Sequence, residues 1–176
     1  MPSLDAVATK TELATKTALA TPTDLARNAV SGVAEALNGV LADTFALYLK
    51  TKNFHWHMSG PHFRDHHLML DEQASQILAT TDDIAERVRK IGGTTLRSIG
   101  DVARRQRIAD NDAEFVPPDA MLAGLEQDNR ALVETRRAAK EIADDAKDNA
   151  SSSQIDDWTD GAERRAWFLF ETTRKR

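Results

Sequence analysis

Residues 53–93 read NFHWHMSGPHFRDHHLMLDEQASQILATTDDIAERVRKIGG. Gly60-Pro61 ends one long helix, and Gly92-Gly93 ends the next, because proline cannot continue a helix and glycine accepts the left-handed geometry of a helix end. His55 and His67 lie equally far from Pro61 on either side. A short turn between antiparallel helices therefore brings these two imidazoles close together. Farther along the second helix, His67 and Asp71 are four residues apart, as are Asp82 and Glu86. At 100° per residue the four side chains stand at about 0°, 40°, 60° and 100° around the axis, one continuous stripe. A His, Asp, Asp, Glu stripe on a helix expected to bury Leu78 and Val88 calls for charged partners or a metal.

The rest of the chain extends this helical pattern. Its 176 residues include only five prolines, Pro2, Pro22, Pro61, Pro117 and Pro118, and the intervening segments are rich in helix formers. The sequence predicts helices at about 24–58, 62–91, 96–108, 119–148 and 154–173, with Asp119 as N-cap of the fourth. Apolar faces run through Val33, Leu37, Leu41, Tyr48 and His55, through Leu122, Leu125, Leu132, Ala139 and Ala146, and through Ile155, Trp158, Ala162, Ala166 and Leu169. Four long helices and one short one describe an all-α four-helix bundle, with residues 93–118 as a crossover carrying the short helix. No repeat of fixed period suggests a helical array instead. Residues 1–23 alternate threonine with alanine and hold little large apolar content, which predicts a flexible arm before a domain spanning 24–176.

Composition narrows the chemistry. The chain has 28 acidic and 23 basic side chains, a formal charge of −5 and no cysteine. Disulfides, thiolate zinc sites and iron–sulfur clusters are excluded. Apolar runs such as Ala166 to Phe170 are far too short to span a bilayer. No charged start followed by an apolar segment marks a signal peptide, so the expectation is a soluble cytoplasmic protein. The acidic balance also disfavours a surface devoted to nucleic acid.

One helix cannot gather the whole stripe. His67 and Glu86 are separated by roughly 28 Å at 1.5 Å per residue. However, the pairs 67/86 and 71/82 are symmetric about a point between residues 76 and 77. Two copies crossing antiparallel about a two-fold axis there would place His67 near the partner's Glu86, and Asp71 near the partner's Asp82. Each of two identical sites would draw His55, His67 and Asp71 from one chain, and Asp82 and Glu86 from the other. Imidazole and carboxylate without thiolate suit Fe(II), Zn(II) or Mn(II). Carboxylates also stabilise Fe(III) and bridge two ions, which makes iron oxidation a reasonable task. The Glu-x-x-His pattern of di-iron sites inside a single bundle is absent. A salt-linked dimer interface without metal is the alternative. His57, His62 and His66 read as solvent-facing residues near the turn.

The stretch resembles the Dps family, the ferritin-like mini-ferritins also called DNA-binding proteins from starved cells. The matching pieces are Asn53-Phe54-His55-Trp56, Gly60-Pro61-His62-Phe63, His67-Leu68-Met69-Leu70-Asp71-Glu72 and Asp82-Asp83-Ile84-Ala85-Glu86-Arg87, continuing into Ile91-Gly92-Gly93. The likeness covers roughly residues 28–173. It implies a ferritin-like bundle, assembled from two-fold dimers into a hollow homo-dodecamer with a ferroxidase centre at each two-fold-related interface. It further implies oxidation of Fe(II), preferentially by hydrogen peroxide over dioxygen, storage of the ferric product as mineral, and protection of DNA from oxidative damage. On this resemblance the five residues hold two iron positions per centre. His55 and His67 bind as neutral imidazoles, Asp82 and Glu86 are the partner chain's carboxylates, and Asp71 serves the second iron. Trp56 resembles a family tryptophan beside the centre, as a packing aromatic or an electron donor.

Three features depart from the family pattern or stay open within it. A His-Glu pair common in the last helix is here Ala162-Glu163, followed by Arg164-Arg165-Ala166-Trp167. Asp144, Asp145, Asp148, Asp156 and Asp157 are candidates for the acidic pores the family uses for iron access. Non-specific DNA contact would fall to Lys10, Lys16 and the terminal Arg174-Lys175-Arg176, because twelve chains together carry a formal charge of about −60 and repel DNA in general. Association with the nucleoid would follow from such contacts. The alternative function is a structural, DNA-compacting nucleoid protein with a vestigial or zinc-filled metal site.

Overall fold

Amphipathic stripes along the sequence become five helices in a computed structural model, which describes residues 18–174. They are α1 (Arg27–His57), α2 (Phe63–Lys90), α3 (Ile99–Arg105), α4 (Pro118–Asp145) and α5 (Asn149–Thr173). The helices form two hairpins, α1 on α2 and α4 on α5; α1 also packs along α4, while α2 and α5 touch little. The long link between the hairpins carries α3, which lies against α1. The architecture is the all-α bundle with a short crossover helix that the sequence predicts.

The core is split into two apolar clusters. Val33, Leu37, Leu41, Ile84, Val88, Ile155 and Trp158 fill one end. Leu47, Phe54, Leu70, Ile77, Met121, Leu125, Leu132 and Leu169 fill the other. Each fully buried aliphatic side chain contributes about 1.5–3 kcal/mol by leaving water. Between the clusters runs a polar layer of Asp43, Thr44, Thr81, Arg136 and Arg165, all buried. Asp43 fastens the crossover to the bundle. It accepts from the Arg107 backbone N–H at 2.7 Å and from that guanidinium at 2.7 and 3.1 Å.

Helix ends differ from expectation for identifiable reasons. Pro117 is the N-cap residue of α4 and Pro118 its first residue, where the missing N–H does no harm. Asp119, predicted as the cap, instead lies in the first turn and faces the positive end of the helix dipole. α5 begins at Asn149, ahead of the predicted 154, because Asp148 caps it. That carboxylate accepts from the Ser151 backbone N–H at 3.1 Å and from Arg87 Nη2 at 2.6 Å. Ser151 to Ser153, which favour turns when free, are thus drawn into the helix. Leu78, expected in the core, is 40% exposed.

The predicted arm, residues 1–23, lies mostly outside the described residues. Its last part runs beside the α2 terminus, where Arg89 Nη2 donates to the Leu19 carbonyl at 2.8 Å. Gly92, at φ 91°, makes the left-handed turn there. Gly93 is required for a different reason: a Cβ would lie 2.7 Å from Ala34 Cβ and 3.0 Å from Val88 Cγ1. Gly93→Ala should therefore destabilise the fold by about 1–3 kcal/mol in urea unfolding. Gly124→Ala is the opposing case. Its methyl would sit 4.0 Å from Phe54 Cε2 inside α4, and helix propensity should stabilise the chain by about 0.5–1 kcal/mol.

Candidate metal centre

The turn between α1 and α2 is built from two left-handed residues, Gly60 at φ 84° and His62 at φ 61°. It reverses the chain so tightly that His55, near the end of α1, meets His67, at the start of α2. Each ring hydrogen-bonds the other residue's backbone: His55 Nδ1 lies 2.8 Å from the His67 carbonyl, and His67 Nδ1 lies 3.0 Å from the His55 carbonyl. A carbonyl oxygen only accepts, so both Nδ1 atoms carry the proton. Both Nε2 lone pairs are then left for another ligand, the arrangement found where imidazole binds a metal. The rings stack at 3.8 Å with 24° between planes, and Phe63 packs on His67 at 5.0 Å. His55 is buried and His67 half-buried.

Asp71, one turn beyond His67, brings a carboxylate to the same place. Its Oδ1 is 3.9 Å from His55 Nε2 and 2.7 Å from Lys52 Nζ. The hydrogen bond and positive charge of Lys52 hold the Asp71 carboxyl below its ordinary range. Lys52 was not singled out from the sequence, although the hairpin register that pairs 55 with 67 also sets 52 opposite 71.

Asp82 and Glu86 are not part of this gathering. Both are exposed farther along α2, with Glu86 paired to Lys90 at 2.9 Å. Among the described residues of one chain, no group of three or more His, Asp or Glu side chains is arranged to hold a metal. Of the five predicted residues, three converge and two lie distant on the same outward face. That face also exposes Leu68, Ser75, Leu78 and Ala79, and Leu49 and Trp56 of α1 are exposed as well.

The other candidates sort by burial. His57 and His62 are exposed, as expected, whereas His66 is half-buried with its ring 5.9 Å from that of His62. Trp56 is exposed, with Lys52 Nζ 5.8 Å from its ring. Asp148 is withdrawn from the acidic pore set, because it is buried and committed to Arg87 and Ser151. Asp144, Asp145, Asp156 and Asp157 remain exposed. Lys140 sits between two of them, 2.9 Å from Asp156 and 4.0 Å from Asp144.

Sequence reasoning missed the character of the bundle interior. Bundles that hold two irons within one chain line that space with carboxylates and histidines. Here it contains Arg136 and Arg165, both buried. Burial, then the charge of Arg165, lowers the Arg136 pKa to about 9; burial lowers that of Arg165 to about 10. The one carboxylate in that layer, Asp43, is occupied by Arg107. An interior of this sign repels a metal cation.

The chain is similar to known proteins along most of its length. The family profile of the ferritin-like domain matches residues 34–175. The DNA protection during starvation protein of Agrobacterium fabrum is 31% identical over 145 residues, covering 82% of this chain and 90% of that one. Its counterpart in Brevibacillus brevis is 30% identical over 137 residues, covering 78% and 91%. Among solved structures, DpsC from Streptomyces coelicolor superposes with a TM-score of 0.85 at 26% identity, covering 88% of this chain and 91% of that one. With the bundle, the crossover helix and the motif-bearing hairpin all in place, the chain belongs to the Dps family of ferritin-like proteins.

Proposed function

We propose that this protein is a ferroxidase and iron store whose catalytic centres are each completed by two chains across a two-fold axis. The observation that carries this reading is the hairpin pair His55 and His67, with both Nε2 atoms free of backbone bonds beside the Asp71 carboxylate. Ferroxidase and iron-storage chemistry is the function at the level of the family. The exposed face of α2 supplies what one chain lacks. Asp82 and Glu86 of a partner crossing near residues 76–77 would reach the imidazole pair, and Leu78 would be covered near the axis.

Fe(II) is the substrate, in two positions per centre. His55 and His67 bind it as neutral donors. Asp82 and Glu86 from the partner, with Asp71, supply the negative charge that favours Fe(III) over Fe(II). Asp71 must exchange its bond to Lys52 for the ion. Two Fe(II) ions give one electron each to hydrogen peroxide; its O–O bond breaks, two protons are taken up, and two Fe(III) and two waters result. The same centre would turn over more slowly with dioxygen. Ferric product then collects inside a dodecamer of about 234 kDa, twelve times the 19.5 kDa chain. Such a cage works in the cytoplasm and would shield DNA by consuming iron and peroxide together. Direct DNA contact would fall to the termini: Lys10, Lys16, Lys175 and Arg176 lie outside the described residues, and Arg174 is exposed.

Ferrous iron and peroxide mixed anaerobically should give a fast rise in ferric absorbance near two irons per peroxide. Retarded plasmid without oxidation would favour the structural DNA-compacting role. Sharing of the centre has its own test. His55→Ala/His67→Ala cages and Asp82→Ala/Glu86→Ala cages should each be nearly inactive. Coassembled from unfolded chains in equal amounts, random pairing makes about half the dimers mixed, each with one intact centre, so roughly a quarter of wild-type activity should return. Correctly formed mixed cages without recovered oxidation would rule out the two-chain centre.

Assembly and the termini are separable from the chemistry. Leu78→Asp puts a charge at the proposed axis, and light scattering should then report species well below the cage mass. Removing residues 1–23 should leave assembly and oxidation intact, while plasmid retardation at low salt is lost. In the full-length cage that retardation should fade as salt rises, because each phosphate contact releases counterions.

A further inference from the structure

The bundle interior holds two cations that iron oxidation does not use. Arg136 of α4 is fully buried and Arg165 of α5 is 3% exposed. Because α4 and α5 run antiparallel, Arg136 stands level with Trp158, and Arg165 with Asn129. Arg136 Nη1 donates to the Trp158 carbonyl, and Arg165 Nε donates to Asn129 Oδ1 at 2.9 Å. Helical side chains lean towards the N-terminus of their own helix, so both arginines lean towards the level between these contacts. The structure bears this out for Arg165: a Cβ on Gly161 would lie 3.6 Å from its Nη1, so the guanidinium reaches back a full turn. The Trp158 carbonyl that holds Arg136 opens that same turn. Two guanidiniums thus converge on residues 158–162, where Gly161 and Ala162 bring almost no side chain.

Their donors exceed the acceptors around them. Arg136 Nε, Arg136 Nη2 and Arg165 Nη2 are buried and find no acceptor among the described residues. The carboxylate of this layer, Asp43, already receives three bonds from Arg107. Arg107, Arg136 and Arg165 thus share one carboxylate, and the two buried arginines are left without a full counter-charge. Buried N–H groups left unmatched and a buried ion left unpaired are both strongly unfavourable, and a water would satisfy the first but not the second.

From this convergence we infer that Arg136 and Arg165 together hold a small monovalent anion, chloride or one of similar size, inside the four-helix bundle. One negative charge offsets part of this excess, and the buried donors of both arginines suit a single-atom ion better than a phosphate or carboxylate ligand. The site rests on this chain's own Arg136 and Arg165, and Ala162 beside them is buried and brings only a methyl group. It is independent of the two-chain iron centre and would persist if that reading failed.

Bromide replaces chloride and scatters anomalously, so crystals of the full-length cage soaked in sodium bromide provide the test. A bromide peak between the Arg136 and Arg165 guanidiniums is expected in every subunit. Peaks confined to the surface, an adventitious ion only, or a water alone at this position would overturn the proposal. A solution measurement gives a second reading at constant ionic strength, with sodium gluconate exchanged for sodium chloride. Each tenfold rise in chloride above the site's dissociation constant should lift the thermal midpoint by about 3–6 °C. Arg165→Met should abolish that chloride-dependent shift, and a shift retained in the variant would count against the site. If the variant fails to assemble, the bromide map of the unaltered cage decides alone.

Discussion

The exchange of hydrogen bonds between His55 and His67 is the constraint on which the rest of the outer face depends. Two rings each spend one nitrogen on the other residue's backbone, and that fixes three things at once. The angle between α1 and α2 is set, because either helix end can shift only by breaking a ring–carbonyl bond. The tautomer is set, because a carbonyl accepts only from a protonated nitrogen. The direction of the remaining lone pairs follows from those two. Gly60 and the left-handed His62 make the reversal short enough for the exchange to occur. Asp71 and Lys52 then complete a mixed-charge surface beside the imidazoles rather than an anionic one.

The interior imposes the complementary constraint. Four-helix bundles offer a central space between facing helices, and related architectures use it for metal. Here that space has the opposite sign, with Arg136 and Arg165 closed in by apolar clusters above and below. A cation is excluded from the place where the fold would most easily shelter one. On the proposed reading, iron chemistry sits instead on an outer surface that a second copy would complete, so that assembly and activity would become the same event.

Much of this was legible in the sequence, and the exceptions share a cause. The helices, the hairpin turn at Gly60-Pro61 and the crossover follow from periodicity and from glycine and proline, which act locally. The proximity of His55 and His67 follows from counting outward from the turn. Local rules fail where a distant residue intervenes. Asp148 recruits Ser151 into α5 with the help of Arg87, sixty residues earlier in approximate terms, so the helix starts before its apolar pattern does. Arg136 and Arg165 sit among helix formers whose charge reads as surface, and burial becomes evident only once α4 lies against α5. Leu78 reads as core by composition and stands exposed on α2, where only the proposed second copy would cover it.

The division of the molecule into two hairpins also has a consequence in time. Within each hairpin the partners are neighbours in sequence, so α1–α2 and α4–α5 can each zip from a short turn, with little chain to search. Joining them is slower, since the long crossover must close first and its closure entropy is met before α1 reaches α4. The few ties across the seam between α2 and the α4–α5 hairpin, among them Arg87 to Asp148 and to Ser151 and Thr172 to Met69, then act as a latch rather than a nucleus. Strain applied to the finished molecule should find that seam first, parting it into two helical pairs before either pair unravels.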